Sequence, residues 1–445
     1  MEKQYIEQLN KIRNIPFKII IYKNVLKDPI VCHYFQIEDE FFKDAPSHSK
    51  LTEIYYNFIS SLYHRYGSDA KACGDLWEHH LLNLIATDEN IFSLACERGE
   101  FSNIPFPIID AAAHDLRLLH GIVKAGHTFI YKSLKQIIPL SYKPCLTFSN
   151  SSKQTGYLKN IFLKCDEWHK LTGMIAAYYV KNGCGIFNKF KVLRWTKEGH
   201  SGFLSGINNP DPIRLHNLVG YERERYDVVQ NTLQFIHGFP ANNVLLYGDR
   251  GTGKSSTVKA ILNEYESRGL RLIEVSKKDL NDLPTILELL RNRGLKFIIF
   301  IDDLSFESDE TQYRELKSIL EGSVEARPSN VLIYATSNRR HLIKEYFYER
   351  STSDEIGSQD TLQEKLSLSD RFGISVTFLS PDQEKYLYIV EQLAKQRNLE
   401  IDSSKLKNMA LQWEMWHNGR TPRAAKQFID HLEGKIKLDK NLQKE

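Results

Sequence analysis

Beyond residue 212 the chain alternates short apolar runs with stretches of helical spacing. The runs are Asn243–Tyr247, Leu270–Val275, Phe297–Ile301, Val331–Ala335 and Ile374–Leu379. Such alternation predicts βαβ units, an α/β fold around a five-stranded parallel sheet flanked by helices. The third run, Phe297-Ile298-Ile299-Phe300-Ile301, is apolar at every position, as a strand buried on both faces requires. After the fifth, Ser380-Pro381-Asp382-Gln383 offers an N-cap, a proline at the first helical position and a glutamine three residues past the cap. Gly419-Arg420-Thr421-Pro422-Arg423 offers a second helix start with Thr421 as cap. No later run reads as a strand, so 381–445 is expected to be a helical lid, with Lys435–Glu445 as a solvated tail. The first 200 residues are rich in aromatics and predicted mainly helical, with runs such as Ile54–Ile59 and Leu81–Ile85. Gly, Ser, Asn and Pro concentrate at 200–212. That divides the chain into a mainly helical domain 1–205, an α/β domain 206–380 and the lid 381–445.

At 445 residues, two to four domains are expected. Lys and Arg number 59 against 56 Asp and Glu, a net +3, so whole-molecule charge does not attract nucleic acid or a membrane surface. Hydrophobic, charged and aromatic shares of 42%, 26% and 11% belong to a folded soluble protein. The N-terminus opens with charge and no apolar leader follows, which predicts a cytoplasmic protein without a membrane partner. Cys32, Cys73, Cys96, Cys145, Cys165 and Cys184 show no CxxC spacing, so they read as small buried hydrophobes. Asp110, His114 and Asp115 stand at helical spacing and read as one polar helix face in preference to a metal or acid–base cluster. Lys189–Trp195 interleaves basic and aromatic residues. It could stack on bases, but an amphipathic strand with its lysine stems lying along apolar surface is preferred.

The chemistry concentrates at Gly248-Asp249-Arg250-Gly251-Thr252-Gly253-Lys254-Ser255, a GxxxxGK[ST] motif after an apolar run and before a helical stretch that opens with Ser256. Three glycines let the backbone curl N–H groups inward at phosphate oxygens, and the following helix turns its positive end to the same anions. Lys254 supplies charge for the β and γ phosphates, and Ser255 is suited to ligate Mg2+. Two acids emerge at the C-terminal end of the third run. Asp302 is expected to hold the metal through water, and Asp303 to act as general base for the attacking water.

These residues resemble the AAA+ ATPases over roughly 213–432. Asn330–Asn338 is similar to that family's fourth strand, which implies that Asn338 is the sensor-1 residue orienting the water. Ser367-Leu368-Ser369-Asp370-Arg371-Phe372-Gly373 resembles the arginine-finger segment, so Arg371 would reach a neighbouring subunit's site. Gly419–Ala425 resembles the start of the sensor-2 helix, implying Arg423 as the cis arginine with Arg420 as the fallback. Leu218-Val219-Gly220-Tyr221-Glu222 looks like the segment covering adenine, which assigns Val219 and Gly220 to the nucleotide. The narrowest likeness is to a bacterial AAA+ family of unknown function carrying runs like GDRGTGKSS, DDLSFE, IYATSNRRHL and KLSLSDRFG, all present here at 248–256, 302–307, 333–342 and 365–373.

The resemblance implies an enzyme that binds ATP and Mg2+ and hydrolyses ATP to ADP and phosphate at the interfaces of a homo-oligomer, in a hexamer-type ring or an ATP-dependent assembly. Hydrolysis would drive remodelling or loading of a protein or nucleic-acid client. The family pattern places Glu after the metal-binding Asp. Asp303 is one methylene shorter, which leaves a slow, nucleotide-gated switch as an alternative. A DNA-binding initiator or helicase loader is the other, because Arg327, Arg339, Arg340 and Lys344 flank the fourth strand. A small-molecule P-loop kinase is disfavoured by the sensor-2-like lid. The polar stretch Glu345–Lys365 reads as mobile or partner-binding.

Overall fold

The computed structural model describes residues 12–67, 74–99, 101–148, 158, 161–162, 164–199, 201–305, 312–321, 327–338, 371–417 and 419–442. Two compact units make up the chain: residues 1–189 with 293–295, and residues 190–292 with 296–445. Cys73, Arg339, Arg340, Lys344, the stretch 345–365 and Ser367–Asp370 lie outside the described residues.

The first unit is helical, with α1 (Pro29–Phe41), α2 (His48–Tyr66), α3 (Leu76–Thr87), α4 (Ile91–Arg98), α5 (Phe106–Leu134) and α6 (Thr172–Asn182). Asp28 starts α1 ahead of Pro29 by accepting from the Ile30 N–H at 2.9 Å, and Asp75 starts α3 by accepting from the Trp77 N–H at 2.8 Å. The aromatic wealth goes into the core, where Trp77 stacks on Tyr34 at 4.5 Å and meets the Phe58 ring at 5.3 Å. Along α5, Asp110 is exposed and His114 half-buried, but Asp115 is fully buried. Its carboxylate accepts the N–H groups of Ile20, Ile21 and Tyr22 at 3.0, 2.6 and 3.0 Å. The expected polar face therefore stops short of Asp115, which pins a loop. The cysteines depart from expectation as well. Cys96 and Cys184 are buried, whereas Cys32 and Cys165 are half-buried and Cys145 is exposed.

Among the described residues the second unit holds a sheet of seven strands, not five: β1 (Val192–Glu198), β2 (Ser201–Gly206), β3 (Val244–Gly248), β4 (Leu270–Glu274), β5 (Lys296–Ile301), β6 (Val331–Ser337) and β7 (Ile374–Phe378), in spatial order β2-β1-β4-β5-β6-β3-β7. The five predicted runs are the parallel strands β3 to β7. The other two form an antiparallel hairpin whose first strand runs parallel to β4, with Val192 opposite Leu272. The basic–aromatic stretch is thus a strand start, and the unit begins at Phe190, not at 206. Composition misled there because the hairpin's glycines serve packing. A Cβ on Gly202 would stand 2.1 Å from the Trp195 ring, and one on Gly206 2.1 Å from Phe190.

Among the described residues the α-helices of this unit are α7 (Glu222–Ile236), α8 (Lys254–Tyr265), α9 (Leu283–Arg291), α10 (Gln312–Glu321), α11 (Gln383–Gln396), α12 (Ser403–Trp416) and α13 (Pro422–Leu442). Asp382, not Ser380, caps α11, accepting the Lys385 N–H at 2.8 Å. Thr421 caps α13 through the Ala424 N–H at 3.0 Å. That helix continues through Lys435 to Leu442, so the expected tail is helical up to that point. Lys435, Lys437, Leu438, Lys440 and Leu442 are good helix formers, which permits about two further turns.

Candidate functional site

At the C-terminal ends of β3, β5 and β6 lies a cleft of about 1090 Å³, lined on one side by Arg250–Ser256, Asp302, Asp303, Thr336 and Asn338 and on the other by Leu218, Val219, Arg225, Ile389, Leu393 and Arg423. The glycine loop takes its shape from close approaches. Gly248 has φ 130°, and a Cβ on it would stand 2.1 Å from the Phe378 carbonyl oxygen, so only glycine fits between β3 and β7. Gly251 and Gly253 follow with φ 76° and 97°. Thr252 Oγ1 braces the loop by donating to the Asp249 carbonyl at 2.8 Å.

Asp249 itself turns away from the cleft and accepts the Ser380 N–H at 2.7 Å, which holds its carboxyl below the usual range. Lys254, first residue of α8, is buried, and its Nζ donates to the Gly248 and Asp249 carbonyls at 2.9 and 2.6 Å and to Asn338 Oδ1 at 3.2 Å. Burial lowers its pKa, against the pull of Asp249, Asp303 and Asp302.

Ser255 Oγ donates to Asp302 Oδ1 at 2.6 Å, joining two oxygen ligands of the kind a hard divalent cation takes. Asn338 Nδ2 donates to Asp303 Oδ1 at 2.6 Å. Asp303 adopts φ 54°, unusual for a residue with a side chain. The residue that sequence reasoning missed is Thr336. Its buried hydroxyl donates to Asp302 Oδ1 at 2.5 Å and accepts the Asp303 N–H at 2.9 Å. A threonine one position before a strand end carries no motif. Only the placement of β6 between β3 and β5 exposes its role.

The remaining predicted residues divide. Val219 lines the cleft beside Ile389. Gly220 lies behind it at φ 75°, its carbonyl accepting from Arg225 and its N–H bonded to Glu222 Oε1 at 2.7 Å. Arg423 lines the cleft, and its N–H donates to the Gly251 carbonyl at 3.1 Å, docking the α13 start on the glycine loop. The fallback Arg420 is committed elsewhere, to Glu414 Oε1 at 2.7 Å. Arg371, half-buried just before β7, is not among the residues lining this chain's own cleft. Arg327 is half-buried and donates to Asn243 Oδ1, so it does not extend a free basic surface.

A family model described as a protein of unknown function (DUF815) matches residues 188–436, more than half of the chain. No curated protein matches it. Among solved structures, the RuvB Holliday junction branch migration motor of Thermotoga maritima is 18% identical, with 52% of this chain and 67% of that chain covered and a TM-score of 0.37. The FIGL-1 AAA domain in complex with ADP is 19% identical, with 45% and 67% covered and a TM-score of 0.32. Likeness at this level assigns no activity. Among the described residues no helix is long and apolar enough to cross a membrane.

Proposed function

We propose, from the premise that this chain belongs to the DUF815 family, that it is an AAA+-type ATPase that binds ATP with Mg2+ and hydrolyses it to ADP and phosphate at subunit interfaces. The observation that carries this reading is the convergence of Lys254, Ser255, Asp302 and Asn338 on one cleft, the first two from the start of α8 and the others from the ends of β5 and β6. The glycine loop and the α8 N-terminus would receive the triphosphate, with Lys254 exchanging its two carbonyl partners for phosphate oxygens. Ser255 and Asp302 would hold Mg2+, which would neutralise phosphate charge. Asp303 would take a proton from the attacking water, with Asn338 keeping its carboxylate in place. Leu218, Val219, Ile389 and Leu393 supply the apolar walls a purine needs.

The arginines complete the reading. Arg423 would meet the phosphates in cis. Arg371 would act in trans, so turnover would require a homo-oligomer. Hydrolysis would serve remodelling or loading of a macromolecular client in the cytoplasm. The test is ATPase rate per subunit against protein concentration, for wild type and Arg371→Ala, with size-exclusion chromatography in the presence and absence of ATP. A rate that rises with concentration, an ATP-dependent shift to larger particles and an Arg371→Ala variant about 10³-fold slower but still binding ATP are expected. A concentration-independent rate from a monomer would overturn interface catalysis and favour a nucleotide-gated switch. ATPase stimulation by DNA that falls steeply with salt would redirect the client towards nucleic acid.

A further inference from the structure

We propose that Thr336 is the positioning residue that sets both acids of the site, fixing Asp302 for the metal and Asp303 for the water, an inference that rests on the hydrolytic reading above. The sheet places it there. Thr336 pairs with Leu246 of β3 on one side, and its predecessor Ala335 pairs with Ile301, the last residue of β5, on the other. One step further along, the Thr336 side chain stands beside the turn that begins with Asp302, and it is 2% exposed.

Three bonds leave Thr336 for three consecutive residues. Oγ1 donates its only proton to Asp302 Oδ1 at 2.5 Å and accepts the Asp303 N–H at 2.9 Å, while the Thr336 carbonyl accepts the Leu304 N–H at 2.7 Å. Ser255 Oγ meets the same Asp302 oxygen at 2.6 Å, so two hydroxyls converge on Oδ1 and fix the carboxylate's rotation. The turn needs such a clamp because Asp303 sits at φ 54°, a backbone state disfavoured for any residue with a Cβ. In that state its carboxylate meets Asn338 Nδ2 at 2.6 Å, and Asn338 Oδ1 in turn meets Lys254 Nζ at 3.2 Å. Hydroxyl, backbone turn, base and phosphate lysine thus form one connected series whose buried end is Thr336. Without the hydroxyl the Asp303 N–H loses its acceptor and Asp302 loses one of two orienting donors. The short Asp303 side chain then keeps its Asn338 bond but stands on a turn no longer clamped in the geometry that proton abstraction demands.

The experiment compares Thr336→Val, which keeps the shape and removes the hydroxyl, with Thr336→Ser, which keeps the hydroxyl. Readouts are kcat, affinity for a fluorescent ATP analogue measured in EDTA, the Mg2+ concentration giving half-maximal rate, and thermal unfolding. Thr336→Val is expected to lose about 10- to 100-fold in kcat and to need more Mg2+, with metal-free nucleotide affinity within about threefold of wild type. Thr336→Ser is expected to recover most of the rate. A Val variant with wild-type kcat and Mg2+ demand overturns the role. So does a Ser variant as poor as Val, since methyl packing would then be what matters. Should Val not fold at assay temperature, Thr336→Ala against Thr336→Ser carries the same comparison. A wild type that binds no ATP overturns the hydrolytic reading itself and the role of Thr336 with it; a wild type that turns over beside an equally fast Val variant overturns the role alone.

Discussion

The helical unit and the α/β unit each bend a loop around a place for an anion, and they use it in opposite ways. At Ile20–Tyr22 three consecutive N–H groups converge on Asp115, a carboxylate supplied by the chain and fully buried. At Gly248–Ser255 the loop turns through three glycines of positive φ and borders a cleft, while the loop's own carboxylate, Asp249, accepts the Ser380 N–H. A nest filled from within is a fastening. A nest whose own acid is bonded elsewhere leaves room for an anion from outside. Their buried charges differ in the same sense. Asp115 is held by three backbone donors, with His114 Nδ1 3.1 Å away, whereas Lys254 has its pKa lowered by burial and makes do with carbonyls and an amide that a phosphate could replace.

Substitutions can sharpen or break that contrast. The largest effect is expected from Lys254→Ala. ATP affinity should fall about 100-fold or more, hydrolysis should vanish, and thermal unfolding should stay close to wild type, because removing a partly desolvated cation costs the fold little. Isothermal titration and calorimetry check both halves, and a large stability loss would make Lys254 a fastening like Asp115. Asp115→Ala should do the reverse, costing about 3 kcal/mol by stranding three N–H groups while a chain that still folds keeps its ATP affinity. Hydrogen exchange at Ile20–Tyr22 would report the loss.

A third test concerns a group with neither a fastening nor a ligand role. Among the described residues, both Glu38 oxygens and the Tyr34 hydroxyl are buried without hydrogen-bond partners. Burial, with Asp39 nearby, pushes the Glu38 carboxyl up to about 9. The folded state therefore holds a proton that the unfolded chain releases above the ordinary glutamate range, and stability should fall as pH rises from there through about 9. Glu38→Met should flatten that slope and add about 1–2 kcal/mol at pH 9, read from urea unfolding at several pH values. The smallest expected effect is Thr421→Ala, about 1 kcal/mol from losing the α13 cap, with a modest rise in KM for ATP because Arg423 docks on Gly251 from that first turn.

Much of the α/β unit was legible because its signals are local. The five parallel strands announce themselves as apolar runs, and the glycine loop, Lys254, Ser255, Asp302 and Asn338 sit where a run ends and chain direction changes. The hairpin at 192–206 was not legible. Its Gly and Ser read as a linker, and only Trp195 and Phe190 lying over those glycines show why they are needed. The cap falls at Asp382, two residues later than expected, because Ser380 still belongs to the exit of β7, where its N–H bonds Asp249 at the end of the neighbouring strand β3. Asp115 read as part of a solvated helix face because helical spacing does not reveal which loop packs against a helix.

The sequence by itself determined where the five parallel strands form, which loop can cradle phosphate and which acids and amides stand at strand ends, because periodicity, capping and glycine conformation act within a few residues. Tertiary structure decided strand order. By setting β6 between β3 and β5 it brought Thr336 against both acids, turned Asp249 out of the cleft, committed Arg420 to Glu414 and left Arg423 facing the glycine loop. Those outcomes depend on pairings between residues tens of positions apart, whose energies come from backbone bonds and packing that no local pattern encodes.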